Sequence, residues 1–426
     1  MKRIFSSFPV VNYAEVKNKL LEWTATFKVG CFLDNHNYTS PYHSYDCLAA
    51  VGCSIVFNPD HDFFASLSKF QSETDWIFGH FNYDLFDMIE KRNSNKKDLT
   101  GFIGAFLFVP EIVVLLNEET ITIGALHAEA KQVFNEISEQ KITASKKFAI
   151  NFKSRIQKEE FISVINKLKE HINYGDCYEI NYCQEFYAEK AYINSVDVYR
   201  QLTEISPNPF SCFYKLNDKY VLCASPERYL KKMGSIIISQ PVKGTFPRDI
   251  ANKHQDEINK HNLKFSEKDK RENVIVVDLV RNDLSKVCEA GTVAVEELYG
   301  IYSFPNVHQM ISTVSGKLKP QAVFSNIIEA TFPMGSMTGA PKKRVMELLE
   351  KYEYSKRGIY SGTIGYISPE KDFDFNVVIR SIVYNEDTGY ISYHTGAGIT
   401  AGSDAYMEYE ECLLKAAAVF KVFGNR

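Results

Sequence analysis

The sequence predicts an α+β fold. Three observations carry that expectation: short apolar runs separated by turn residues, a few segments with apolar residues at helical spacing, and no strict alternation of strand with helix. A doubly wound parallel sheet requires that alternation and is not expected. Apolar residues make up 45% of the 426 positions and charged residues 24%. That balance supplies a large core, in one domain or two interlocked ones.

Residues 1–140 read as short strands and turns, clearest over 47–57 and 102–115. The longest apolar stretch, 101–116, is interrupted by Pro110 and Glu111, so it reads as two buried strands, too short to span a bilayer. The lysine- and serine-rich stretch 138–155 is the expected boundary between an N-terminal region, 1–145, and a second region, 155–424. A helix is expected over 157–173, where Phe161, Val164, Ile165 and Leu168 share a face. Strands follow over 178–187, 210–215, 220–225 and 235–240, and again over 361–368, 375–384 and 390–395. The charged segment 249–272 runs into a helix through Val280. Pro341 suits a first helical position and opens a helix over 341–351, and a last helix is expected over 405–420.

Composition excludes several classes. Lysine and arginine number 49 against 53 acids, a net charge of -4, so nothing marks a nucleic-acid or membrane-surface partner. Residues Met1 to Val11 lack the apolar run of a secretory signal. The nine cysteines are scattered, with no C-x-x-C pair. They imply a reducing, cytoplasmic setting without disulfides or zinc, with Cys177, Cys183, Cys212 and Cys223 acting as small core residues.

Four groups of residues could carry chemistry. Glu408, Glu411 and Lys415 share one face of the last helix, and Asp269 and Glu272 repeat the carboxylate spacing on another helix. Alone, each face is usually solvated. Brought together, the two would suit a hard divalent cation such as Mg2+. Gly335-Ser336-Met337-Thr338-Gly339-Ala340-Pro341 places glycines and hydroxyls ahead of a helix. It could receive a carboxylate or simply cap that helix through Ser336 or Thr338. The glycines of 396–402 fit a dinucleotide fingerprint poorly, the third being one position late, and no nucleotide is expected. Lys243 lies between an apolar strand and Gly244. Most lysines are solvated. Partial desolvation would lower the pKa of this one and make its amine a possible nucleophile.

The motifs together resemble the chorismate-utilising enzymes, the family of anthranilate, aminodeoxychorismate, isochorismate and salicylate synthases. The matching stretches are SPERYL at 225–230, PVKGTFPR at 241–248, ENVIVVDLVRNDL at 272–284, VHQMISTVSGKL at 307–318 and GSMTGAPKKRVMELLE at 335–350. RGIYSGTIGYIS at 357–368, NVVIRS at 376–381 and GAGITAGSDAYMEYEECLLKA at 396–416 complete them. They occur in family order over 157–420, and FGHFNYDLFDMIE at 78–90 is similar to a family segment. The implied fold is two packed β-sheets flanked by helices, as in anthranilate synthase component I, with the N-terminal region contributing strands.

Lys243 in PVKGT resembles the aminodeoxychorismate synthases, since anthranilate and isochorismate synthases typically carry alanine there. Glu179 stands where amidating members often have glutamine, and it is not the lysine that water addition needs. The resemblance implies that Glu272 and Glu411 hold Mg2+, with Asp269 and Glu408 around it and Lys415 adding charge. It implies that Arg380, Tyr360, Ser336 and the backbone of Gly396, Ala397 and Gly398 bind substrate. Glu227 would be the general acid and Lys243 the nucleophile, with His308 and Thr245 orienting the ring. The implied function is that of a synthase subunit amidating chorismate towards p-aminobenzoate and folate. Its ammonia would come from a partner glutamine amidotransferase, because the sequence has no glutaminase motif. The alternatives are anthranilate synthase component I and a non-catalytic subunit that binds chorismate or tryptophan.

Overall fold

Strand alternation decides the layers. In the strand Cys47–Val51, Cys47, Ala49 and Val51 face a core shared with helices, whereas Leu48 and Ala50 face a core between two sheets. Across that inner core, Phe78, Phe106 and Phe108 point inward while Ile77, Phe81, Leu107 and Val109 point to a third core under other helices. The computed structural model, which describes residues 3–59, 61–73, 75–89, 94 and 96–424, is thus a sandwich of two sheets with helices on both outer faces. This is the architecture expected from the resemblance.

Among the described residues one sheet has twelve strands and the other ten, all pairs antiparallel. In the first, Phe210–Leu216, Lys219–Ser225, Ser381–Asn385, Tyr390–Ile399 and Glu179–Ala188 lie side by side and end on the short strand Gly339–Ala340. The second begins with Val242–Pro247, Val307–Lys317, Ile236–Gln240 and Arg228–Met233. Strands from residues 1–145 enter both sheets: Cys47–Val51 joins the first, and Ile77–Phe81 joins the second beside Thr363–Ile367. Glu90, the last residue of the 78–90 segment, lies outside the described residues.

Two segments read as single strands are each divided between the sheets. Cys47–Val51 is in the first and Ile55–Val56 in the second. Phe373–Asn376 is in the second and Ser381–Asn385 in the first, with Arg380 in the left-handed region at φ 51° in the turn between them. Hydropathy cannot locate such a crossing, because the chain is apolar in both sheets. The interruption at Pro110 and Glu111 is a third crossing, from Ala105–Val109 to Ile112–Leu116.

The helices follow their caps. Lys158–Tyr174 stops at Gly175, whose φ of 95° is left-handed. The charged segment is two helices, Lys253–Phe265 and Glu267–Val287, separated at Ser266, whose side chain accepts a hydrogen bond from the Asp269 N–H. The helix at Pro341 runs over Lys342–Tyr352 with no side-chain cap. Thr338 Oγ1 instead donates back to the Met334 and Gly335 carbonyls, so neither Ser336 nor Thr338 caps it. Gly339 and Ala340 pair with Ile180 and Glu179, which pins this turn against the first sheet. Cys177, Cys183, Cys212 and Cys223 are buried free thiols. No helix of the described residues is long and apolar enough to cross a membrane.

Arg357 locks the site's scaffold. It is buried, pairs with Glu353 at 2.6 Å, and donates to the Met337 carbonyl at 2.6 Å and the Asn181 carbonyl at 2.7 Å. Removing one partner of a buried pair strands the other charge. Arg357→Met should therefore lower the unfolding free energy by about 3–5 kcal/mol in urea titration. A loss below about 1 kcal/mol would contradict this role.

Candidate active site

The second sheet brings Lys243 to the seam between the sheets, and the first sheet brings Glu179 to meet it. Lys243 is 8% exposed, and its Nζ donates to Glu179 Oε1 at 2.7 Å. Burial acts to lower the Lys243 pKa, but the Glu179 and Glu272 carboxylates more than offset it, and the net shift is upward. The expectation of a lowered pKa is therefore corrected: the amine is desolvated but held protonated by neighbouring carboxylates.

Gly398 is what lets these groups meet. A Cβ there would lie 2.9 Å from Glu272 Oε2, 3.2 Å from Lys243 Nζ and 3.4 Å from Glu179 Oε1. The strand Tyr390–Ile399 also explains the glycine pattern. The Cys183 N–H goes to Glu353, the Asn181 N–H goes to Thr338, and the Gly396 carbonyl accepts from Lys415 Nζ at 2.8 Å. The pairs Cys183–Gly396 and Asn181–Gly398 thus point their backbone groups away from each other, and Gly396 and Gly398 offer N–H groups to the cleft. Ala397 does not: its backbone faces Tyr182, and its methyl is in the core under the helices.

Glu227 faces this cluster from the end of the strand Lys219–Ser225. Its burial pushes the carboxyl up to about 7, with Ser336, Lys243 and Arg380 pulling the other way. Ser336 lies close enough to favour the charged form, although its hydroxyl makes no hydrogen bond of good geometry. Arg380 has no carboxylate within ion-pair distance among the described residues, so its guanidinium is open to a ligand. Tyr360 stacks on His394 with centroids 4.9 Å apart.

The two carboxylate faces do meet, around an ammonium. Lys268 Nζ lies 2.8 Å from Glu408 Oε1, 3.4 Å from Glu411 Oε2 and 3.8 Å from Glu272 Oε1. No three His, Cys, Asp or Glu side chains converge as a metal-ligand set among the described residues, because the carboxylates splay around this lysine. Glu272 Oε1 and Glu408 Oε2 are buried without a hydrogen-bond partner. Burial pushes Glu272 up to about 8, whereas Lys415, 2.8 Å away, holds Glu411 down at about 2. Orphaned carboxylate oxygens beside a seated cation fit a hard divalent ion. Asp269 lines the cleft beside Gly244, outside the Lys268 group, and Glu408 lies behind the lining.

These residues line a hollow of about 760 Å³ that also includes Thr245, Ser336, Arg380 and Lys415. A second hollow, about 520 Å³ and lined by Asn35, His43, Phe210 and Arg228, lacks the carboxylate–lysine cluster. His308 is corrected by register. Its neighbour Gln309 opposes Thr245 and lines the cleft, so His308 points to the other face, where it bonds Asp256 Oδ1 at 3.0 Å and Ser303. Gln309 and His394 were not singled out from the sequence. Both are buried in the cleft wall with unpartnered side-chain nitrogens. Strand period alone separates Gln309 from His308, once the pairing with Thr245 is known.

The profile of the chorismate binding enzymes matches residues 54–421. The chain belongs to that family. It is 40% identical over 268 residues to a protein from Oryza sativa named a probable chloroplastic aminodeoxychorismate synthase, covering 62% of this chain and 30% of that one. It is 34% identical over 283 residues to aminodeoxychorismate synthase component 1 of Klebsiella aerogenes, covering 66% and 62%. The chain thus spans less than two thirds of the length of these relatives. Among solved structures, anthranilate synthase component I from Streptococcus pneumoniae superposes with a TM-score of 0.75 over 98% of this chain and 92% of that one, at 24% identity, which shows a common fold.

The Glu227 environment predicts a pH signature. A carboxyl raised above its ordinary 4.5 binds its proton more tightly when folded. Its contribution to stability is therefore full below pH 4.5 and is lost as pH rises through about 7. Glu227→Gln should gain thermal stability relative to wild type by a few kcal/mol across that window. Parallel melting curves at all pH values would contradict it.

Proposed function

We propose that this chain is the synthase subunit of an aminodeoxychorismate synthase, converting chorismate and ammonia to 4-amino-4-deoxychorismate. The observation that carries the reading is Lys243, buried in a cleft beside a carboxylate partner and facing a carboxyl raised to about 7. Relatives named aminodeoxychorismate synthase support it.

In this reading Arg380 and Tyr360 bind the enolpyruvyl carboxylate, and the Gly396 and Gly398 N–H groups assist. Glu272 and Glu411, with Glu408 and Asp269 behind them, would hold Mg2+, which supplies charge neutralisation at the ring carboxylate. Glu179 Oε1 is the base nearest Lys243 Nζ and takes its proton first, freeing the lone pair with which the amine attacks C2. Glu227 gives its proton to the C4 oxygen, the C4–O bond breaks, both ring double bonds shift (C1=C2 to C6=C1 and C5=C6 to C4=C5) and water leaves. Ammonia then attacks C4, the two double bonds shift back and the C2–N bond breaks to release the amine. Glu227 takes a proton from the new C4 ammonium, Glu179 returns one to Lys243, and both groups are regenerated. Thr245 and Gln309, opposite each other on neighbouring strands of the cleft wall, would face the ring in this reading. Ammonia would come from a partner glutamine amidotransferase, as the component naming of the relatives suggests, and the product would feed p-aminobenzoate and folate synthesis in the cytoplasm.

The test is product identity. With chorismate, Mg2+ and ammonium at alkaline pH, mass spectrometry should find 4-amino-4-deoxychorismate. Lys243→Ala should lower turnover by about three orders of magnitude, the scale at which groups acting as a unit fail. Anthranilate as the product would overturn the subclass in favour of anthranilate synthase component I. Unchanged turnover in the variant would overturn the covalent role.

A further inference from the structure

Lys268 is in an unfavourable place for a lysine. It occupies the first turn of Glu267–Val287, where the helix dipole disfavours a positive charge. Carboxylates from two helices compensate. Glu272 comes from its own helix, and Glu408 and Glu411 come from Ala405–Val422. These are three of the four carboxylates that would hold Mg2+ in the function proposed above, and this inference rests on that reading.

We infer that the Lys268 ammonium holds the place of the divalent cation and must withdraw before a metal ion can bind. The ammonium, 2.8 Å from Glu408 and 3.4 Å from Glu411, fills the space between the carboxylates that a metal ion would take, and the two cannot occupy it together. The two lysines of the cluster differ in their freedom to move. Lys415 is tied to both Glu411 and the Gly396 carbonyl and lines the cleft, so it stays. The Lys268 side chain is 45% exposed and can swing on its four-carbon stem into water. The orphaned oxygens Glu272 Oε1 and Glu408 Oε2 mark the acceptors that one ammonium leaves unfilled. Lys268 therefore keeps the metal-free carboxylates from repelling one another and sets how much metal is needed to load the site.

The probe is Mn2+ alone, followed by electron paramagnetic resonance, so no substrate or turnover is involved. Lys268→Met should tighten Mn2+ binding by about tenfold, the equivalent of a few part-exposed ion pairs. Lys270→Met removes the same charge from the same helix, from a lysine that pairs with exposed Glu267 and lies over the Phe265 ring, and should change binding by less than about twofold. In the wild type, Mg2+ should raise the rate at which an amine-acylating reagent labels Lys268, read by peptide mass spectrometry. Weakened or unchanged Mn2+ binding in Lys268→Met, an equal effect in Lys270→Met, or Lys268 labelling that Mg2+ leaves unchanged or lowers would each overturn the inference. The product assay is independent of these readouts, so a different product from chorismate would overturn the proposed reaction and leave the lysine exchange standing.

Discussion

The Lys243–Glu179 ion pair joins the two sheets at the candidate site. Val242–Pro247 belongs to one sheet and Glu179–Ala188 to the other, and the pair spans the seam at 2.7 Å. Burying two charges costs several kcal/mol each, and the cost is offset only by close geometry and further polar partners. The surrounding design supplies these. Gly398 allows the approach, Glu272 adds a second carboxylate, and Arg357 fixes the carbonyls of Asn181 and Met337 on either side.

Strain accompanies this precision at Arg380. Arg380 is a non-glycine residue with a left-handed backbone, in the crossing from Phe373–Asn376 to Ser381–Asn385. Such conformations cost about 1–3 kcal/mol and persist where the surroundings over-determine them. The Ala224 N–H donates to the Arg380 carbonyl and the Val377 N–H to the Glu227 carbonyl. The same turn therefore sets both the guanidinium and the carboxyl that face each other across the cleft.

The helices Lys158–Tyr174, Glu267–Val287, Lys342–Tyr352 and Ala405–Val422 and many of the strands were legible in the sequence. The helices Tyr13–Ala25, Phe63–Glu73, Ala130–Ser138, Ser195–Ile205 and Phe324–Thr331 were not, and the reading of residues 1–140 as strands and turns alone is corrected by the three of these that lie there. The crossings at 52–54 and 377–380 were not legible either, since a segment buried in either sheet has the same hydropathy. Lys243, Glu227, Glu272 and Glu411 could be named from motifs. Their mutual charge environment could not, and this is why a lowered Lys243 pKa was expected and a raised one found. His308 was named from its motif, yet strand register gave the cleft to its neighbour Gln309. Nothing in the sequence distinguishes Lys268, because a lysine in a charged helix reads as solvated. Only the meeting of two helices distant in sequence reveals its three partners.

The central claim is that Lys243 bonds to the ring carbon of chorismate. Rapid quench of the protein with chorismate and Mg2+, with no ammonia present, tests it directly by intact-mass and peptide spectrometry. The account predicts a mass gain of chorismate less one water, mapped to the Lys243 peptide and discharged on adding ammonium. Release of 4-amino-4-deoxychorismate when ammonium is added, with no adduct on Lys243 at any quench time before it, would contradict the account and leave the lysine only an electrostatic part.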